Sequence, residues 1–365
     1  MHLILLQENL AKSLKILKMA VAHRAQLPIL STFLLEAKDD EVVLSSTDLQ
    51  MGIRSTLAAE VKTKGLIAVP AQVFSEIIAS LSPGKIELSL KENTLIIKSG
   101  KNISRVQTLS PDDFPPFPEA GETKLEFSHE QIESILTQVP FAASKDETRP
   151  ALTAVLFNLG ETPEIVATDG FRLSVLKLKR SFPEQKFMVP AKSLIEIFRG
   201  LELENGVIFH LSSELQQLFF TTGEFEIFIR LVGEEFPPYN KIIPSEFELQ
   251  IELSAADLLQ QIKRACIFAK ESSYIVTLEI KDNQLIVSAS ASAIGKHEGQ
   301  MEVKVLSGSE GKISFNAQYL LDYLQQIKSE IIIMQMNDSL QPAQFSPALK
   351  SELRYIVMPF RLQEG

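Results

Sequence analysis

The chain has a single cysteine, Cys266, in 365 residues, so it cannot form an internal disulfide. That usage fits a reducing compartment, and a cytoplasmic protein is expected. Its five histidines, His2, His23, His129, His210 and His297, are scattered. None stands beside the cysteine or four residues from another, so no metal site and no cofactor are expected. No apolar run approaches the roughly 20 residues needed to span a bilayer, and no membrane role is expected. Residues 1–6 are apolar but lack a basic start and a signal-length core, so they read as a strand. No GxxxxGK[ST] phosphate loop and no nucleophile–base set is visible, which argues against an enzyme. Basic residues are also outnumbered, 36 against 46, for a net charge of −10. That balance argues against a general nucleic-acid coat.

What the chain does have is repetition. Val69-Pro70-Ala71, Val189-Pro190-Ala191 and Phe315-Asn316-Ala317 stand 120 and 126 residues apart. Each opens a helical pattern with apolar residues at i, i+3, i+4 and i+7: Phe74, Ile77, Ile78, Leu81; Leu194, Ile197, Phe198, Leu201; Leu320, Tyr323, Leu324, Ile327. That spacing places each set on one helix face. Ser46-Thr47-Asp48 recurs as Ala167-Thr168-Asp169, and Phe114-Pro115-Pro116-Phe117 recurs as Phe236-Pro237-Pro238-Tyr239. A domain-sized repeat means one fold used three times. The Pro-rich pieces cannot continue a helix or central strand and carry few apolar anchors, so they mark junctions. The expected domains are residues 1–118, 119–245 and 246–365.

Each third begins with a short strand and an amphipathic helix. Leu10, Leu14, Leu17 and Val21 form the first stripe. Ser128 with Gln131, and Ser254 with Asp257, resemble capping boxes before the second and third. Strands are expected at 41–45, 152–159 and 276–280, and after the second helix of the first third at 85–90, 94–99 and 104–109. The fold class is therefore α+β, with two helices and about eight strands per domain packed in layers. Asp48 and Asp169 each follow a threonine at a strand end, which points to turn caps rather than a catalytic carboxylate pair.

The polar helix faces bear on function. Lys12, Lys15, Lys18 and Arg24 lie on or after the first helix, Lys192 and Arg199 on a second-third helix, and Lys263, Arg264, Lys270 and Lys328 on or near those of the last third. They are either ordinary solvated faces or a set converging on a phosphate backbone.

The repeats, the motif Ala167-Thr168-Asp169-Gly170-Phe171-Arg172-Leu173 and the ending Tyr355-Ile356-Val357-Met358-Pro359-Phe360-Arg361-Leu362 resemble the bacterial DNA sliding clamp, the β subunit of DNA polymerase III holoenzyme. The resemblance covers the whole chain. It implies three clamp domains, each with two helices packed on antiparallel sheets, forming half of a closed ring. Two protomers would join head to tail, with helices lining a central hole and a continuous sheet outside. It implies a non-catalytic DNA polymerase processivity factor that encircles duplex DNA and slides without sequence readout. Its partners would be double-stranded DNA, the replicative polymerase subunit, the clamp loader, repair polymerases, mismatch-repair proteins and a second copy of itself.

Carried over residue by residue, the resemblance assigns DNA contacts to Arg24, Lys145, Arg149, Lys192, Arg199 and Lys263. It assigns a pocket for partner peptides to Leu152, Thr168, Gly170, Phe171, Arg172, Leu173, Pro237, Lys241, Ile242, Tyr319, Leu340, Ile356, Val357, Met358, Pro359, Phe360 and Arg361. At the ring seam, Val106 of one protomer would face Ile267 and Phe268 of the other. Some residues depart from the family pattern. Phe171 stands where histidine is common, and Ser273 replaces an aromatic, with Tyr274 adjacent. Pro150 and Ala151 stand where some members place aromatic DNA contacts, and residues 70–81 carry no basic residue, only Glu76. Residues 363–365 extend past the usual end. Two other readings remain at this level: an enzyme with a junctional site, and a three-domain peptide-binding scaffold that does not encircle DNA.

Overall fold

The computed structural model describes residues 1–22, 27–201, 206–212, 214–349 and 352–361. Six α-helices lie among them: α1 (Gln7–Leu17), α2 (Ala71–Ser80), α3 (His129–Gln138), α4 (Ala191–Gly200), α5 (Ala255–Ala269) and α6 (Ala317–Gln326). The repeated stripes face inward. Leu10, Leu14 and Leu17 of α1, Phe74 and Ile78 of α2, Leu194, Ile197 and Phe198 of α4, and Leu320, Tyr323 and Leu324 of α6 are all buried. Val21 lies beyond the end of α1. The expected caps are present. Ser128 N–H donates to Gln131 Oε1 at 2.9 Å while Gln131 N–H donates to Ser128 Oγ at 3.3 Å. Ser254 Oγ accepts from Asp257 N–H at 3.2 Å. Such a cap is worth about 1 kcal/mol.

The chain forms two compact units, Met1–Ile132 with Ser193–Leu231, and Glu133–Lys192 with Val232–Gly365. The first holds a five-stranded antiparallel sheet, in the order Glu60–Thr63, His2–Leu6, Lys85–Lys91, Thr94–Ser99, Asn102–Gln107. Its eight-stranded sheet runs Thr123–Phe127, Val207–Ser212, Gln217–Thr222, Phe225–Arg230, Met51–Ala58, Glu41–Thr47, Thr32–Lys38, Gly65–Pro70. Phe198 of α4 stacks on Phe220 at 4.9 Å inside this unit.

The second unit holds a nine-stranded sheet: Gln185–Pro190, Ala154–Leu159, Glu164–Thr168, Arg172–Lys177, Leu353–Val357, Ala343–Pro347, Ile331–Met336, Leu249–Ser254, Lys304–Ser307. Its four-stranded sheet runs Gly295–Glu302, Gln284–Ala291, Ile275–Lys281, Gly311–Asn316. Tyr323 of α6 stacks flat on Tyr355 at 4.7 Å.

The larger sheets are therefore shared between sequence repeats. Met51–Ala58 pairs with Phe225–Arg230, and Arg172–Lys177 pairs with Leu353–Val357. Local periodicity carries no information on such partners. The Pro-rich pieces also differ from expectation, because they are anchored. Phe236 and Tyr239 are buried in the second unit's core, and Phe117 packs edge-on against Phe228 with Arg54 over its ring at 4.1 Å. Proline fixes an extended path, so the aromatic residues on either side can drop onto a sheet without a ladder. Leu152 is not in a strand: Pro150–Thr153 forms a short 3-10 turn, with Pro150 at its start, and the strand begins at Ala154. The strand expected at 104–109 occupies Asn102–Gln107.

Candidate partner-binding surface and DNA-facing residues

The second unit contains a turn that recurs in the first. Thr168 Oγ1 donates to Arg172 O at 2.6 Å and accepts from Gly170 N–H at 3.0 Å. Asp169 Oδ1 accepts from Phe171 and Arg172 N–H at 2.9 and 3.0 Å. Thr47 and Asp48 make the same set with Leu49, Gln50 and Met51. Both aspartates are turn caps. The turn needs a left-handed residue, and Gly170 supplies it at φ +93°. The residue after Gly170 is thrown outward, leaving Phe171 57% exposed.

Arg172 turns inward and is only 8% exposed. Its Nε donates to Asp169 Oδ2 at 3.0 Å and its Nη1 to Asp322 Oδ2 at 2.6 Å. The guanidinium lies over the Tyr319 ring at 4.8 Å, and Gln318 Nε2 holds the other Asp322 oxygen at 2.7 Å. Burial works against its charge, but Tyr355, Asp322 and Asp169 outweigh that, so its pKa stands above the ordinary guanidinium value. Burial, with the Asp169 carboxylate, also pushes the Tyr319 phenol up. Arg172 thus clamps the turn to α6 through groups of the protein itself. The sequence reading missed Asp322 and Gln318, since nothing local marks residues 150 positions from Arg172 as its partners.

The chain's final strand joins this turn. Leu353–Val357 pairs with Arg172–Leu176, so Leu173, Ile356 and Val357 are buried core. Beyond it Met358 N–H donates to Phe171 O at 2.8 Å and Phe360 N–H to Ser314 O at 2.7 Å. Met358 and Phe360 are themselves exposed, as are Arg361, Ile242 and Leu340, while Pro359 is half-buried. Leu340 sits on a turn capped by Asp338, whose Oδ1 accepts from Leu340 N–H at 2.7 Å. Lys241 and Ile242 are exposed on the one-turn segment Tyr239–Ile242, fixed where Tyr239 O–H donates to Glu164 at 2.7 Å. Leu152 and Pro237 are half-buried. The structure thus ties Thr168, Gly170, Phe171, Arg172, Tyr319 and Met358 together. No described hydrogen bond ties Leu152, Pro237, Lys241, Ile242 or Leu340 to that turn.

Of the basic residues, Arg24 lies outside the described residues. Lys145, Lys192, Arg199 and Lys263 are exposed, the last three on helix faces opposite the buried stripes. Arg149 is exposed but its Nε donates to Asp146 at 3.3 Å. Asp146 also accepts from the Thr148 hydroxyl and N–H, which hold its carboxyl below the usual range. With Glu147, residues 145–149 carry as many acids as bases. At the expected seam, Ile267 is 63% exposed at the end of α5, while Val106 is buried within its own sheet. Ile103, on the same strand, is the exposed apolar residue there. No group of His, Cys, Asp and Glu among the described residues is placed to hold a metal. No helix among them is long and apolar enough to cross a membrane.

Three family models match in order: DNA polymerase III beta subunit, N-terminal domain, at residues 1–118; central domain, at 126–238; and C-terminal domain, at 240–361. The beta sliding clamp of Escherichia coli K12 is 30% identical over 364 residues, covering 98% of each chain. The chain belongs to the bacterial β sliding clamp family. The Synechocystis beta sliding clamp is likewise 30% identical, over 99% of this chain and 100% of its own. Among solved structures, the Pseudomonas aeruginosa DNA polymerase III subunit beta superposes with a TM-score of 0.93 at 28% identity, covering 99% of this chain and all of that one. The Bacillus subtilis sliding clamp gives 0.94 at 26% identity with full coverage of both. The three-domain clamp fold is thus shared along the whole chain.

Proposed function

We propose that this chain is a non-catalytic processivity clamp that works in the cytoplasm as a head-to-tail pair, closing a ring around duplex DNA and tethering polymerase to it. In this reading residues 1–118, 119–245 and 246–365 act as the three clamp domains. The carrying observation is a count of sheet edges. Two repeat-to-repeat junctions are made inside the chain, Met51–Ala58 on Phe225–Arg230 and Arg172–Lys177 on Leu353–Val357. The matching strand of the last third, Gly295–Glu302, is the open edge of the four-stranded sheet. The matching strand of the first third, Asn102–Gln107, is the open edge of the five-stranded one. These are the two halves of a third such junction. Left open they would invite unspecific pairing, and one chain's tail on the next chain's head covers both.

Retention would come from topology, so the lining needs only modest basic charge. Lys145, Arg149, Lys192, Arg199, Lys263 and Arg24 would meet phosphates without reading bases. The exposed apolar side chains of Phe171, Ile242, Leu340, Met358 and Phe360, with Arg172 and Tyr319 beneath, suit short peptide tails of the polymerase, the clamp loader and repair proteins. The test is retention after loading. The protein should stay on nicked circular DNA and run off the same DNA once linearised. Equal loss from both forms would favour the peptide-binding scaffold that does not encircle DNA.

A further inference from the structure

Phe236 and Tyr239 hold the second Pro-rich segment on one face of the nine-stranded sheet. Register places Val166, Leu173, Val175 and Ile356 on that face, and all four share a buried core with the two aromatic residues. The same alternation brings Glu164, Lys177 and Arg354 to its margin, since Glu164 pairs with Lys177 and Arg354 with Val175. The Glu164 side chain is only 13% exposed. Its Oε2 accepts from Tyr239 O–H at 2.7 Å and its Oε1 from Arg354 Nη2 at 3.3 Å, with Lys177 Nζ 3.7 Å from the same oxygen. Burial, reinforced by Glu164, pushes the Tyr239 phenol up, so it stays a donor.

One carboxylate therefore reaches toward both sides of the candidate peptide surface. Tyr239 opens the one-turn segment that carries the exposed Lys241 and Ile242. Arg354 stands on the final strand, which leads into the exposed Met358 and Phe360. Tyr239 is otherwise held by apolar packing, with Ile243 half-buried on the far side of Ile242. Apolar contact is non-directional and lets a short segment shift, whereas a hydrogen bond to a charged acceptor is short and directional and fixes it. The first repeat supplies a contrast. Phe117 stands where Tyr239 does and has no hydroxyl; Arg54, itself paired with Glu226 at 3.2 Å, lies over its ring instead. A phenylalanine is thus accommodated at this place in the fold.

We propose that Glu164 and Tyr239 are positioning residues that set where Ile242 stands relative to Met358 and Phe360, and so fix the shape of the partner-peptide surface. This rests on the peptide-binding reading of that surface and adds the device that holds its two sides in place. Both residues lie largely buried beneath it and act through Ile242 rather than by touching the peptide.

The test is fluorescence anisotropy with full-length protein. Tyr239→Phe should weaken binding of a labelled Gln-Leu-Ser-Leu-Phe-type peptide about fivefold, the worth of one hydrogen bond, and Glu164→Ala about as much. Glu164→Gln, whose amide oxygen still accepts from the phenol, should restore most of the binding. In an Ile242→Ala chain, where the positioned side chain is gone, Tyr239→Phe should cost less than about twofold. A general loosening of the fold would cost the same in both backgrounds, and that result would overturn the proposal. Unchanged binding by Tyr239→Phe, beside weakened binding by Ile242→Ala, would also overturn it and leave the peptide surface standing. Full binding by both Ile242→Ala and Met358→Ala would overturn the surface itself, and the positioning with it.

Discussion

At the residue scale, the clearest constraint is the buried charge at Arg172. Two carboxylates and two aromatic rings surround its guanidinium, so Arg172→Ala strands Asp322 and Asp169 without their cation. A loss of about 3 kcal/mol is expected, read as a lower denaturation midpoint. Asp322→Asn should lose less, because its amide oxygen still accepts from the arginine. Equal losses would mean that packing rather than charge holds the clamp. Backbone strain offers a change of opposite sign. Ser273 and Tyr274 are consecutive left-handed residues, at φ +58° and +60°, in the turn after α5. Ser273→Gly should therefore raise stability by about 1 kcal/mol, seen as a higher melting temperature. An unchanged or lower one would show the strain to be compensated locally. For partner peptides, Met358→Ala and Phe360→Ala should each weaken a labelled Gln-Leu-Ser-Leu-Phe-type peptide about tenfold by fluorescence anisotropy. Undiminished binding would move the pocket elsewhere.

At the scale of elements, the helices are similar in packing and unequal in charge. α2 exposes Gln72, Val73 and Glu76 but no basic residue, whereas α4 exposes Lys192 and Arg199, and α5 exposes Lys263 and Arg264. DNA attraction should therefore come from α4 and α5 more than from α2. Lys192→Ala or Lys263→Ala should each lower the slope of log affinity against log salt by about one, with no change in preference between unrelated duplexes. Glu76→Lys, by contrast, should raise that slope. The 145–149 loop should matter less than its two bases suggest, because Asp146 engages Arg149 and Glu147 balances Lys145. A mutant that changed sequence preference would contradict a phosphate-only contact.

For the whole molecule, the two open edges make the isolated protomer an incomplete object. Light scattering at micromolar protein should return twice 40.7 kDa. Phe268→Asp should shift the balance to monomer, because it would bury a charge at the seam where the second copy would arrive. A dimer undisturbed by that change would put the seam somewhere other than these edges.

The sequence by itself determined the threefold repeat, the helices with their buried stripes, two of their caps and the Thr-Asp turns. Each of these is set within a few residues by periodicity or by a side chain bonding its own backbone. Phe171, Met358 and Phe360 were legible as surface candidates only through resemblance, since an apolar residue at a strand end reads equally well as core. Tertiary structure alone decided the rest. The Arg172–Asp322 clamp joins residues far apart in the chain. The shared sheets depend on which edge meets which, and a strand's own sequence does not encode its neighbour. The anchoring of Phe117, Phe236 and Tyr239 overrode the loop character of their prolines because the sheets offered apolar surface to cover.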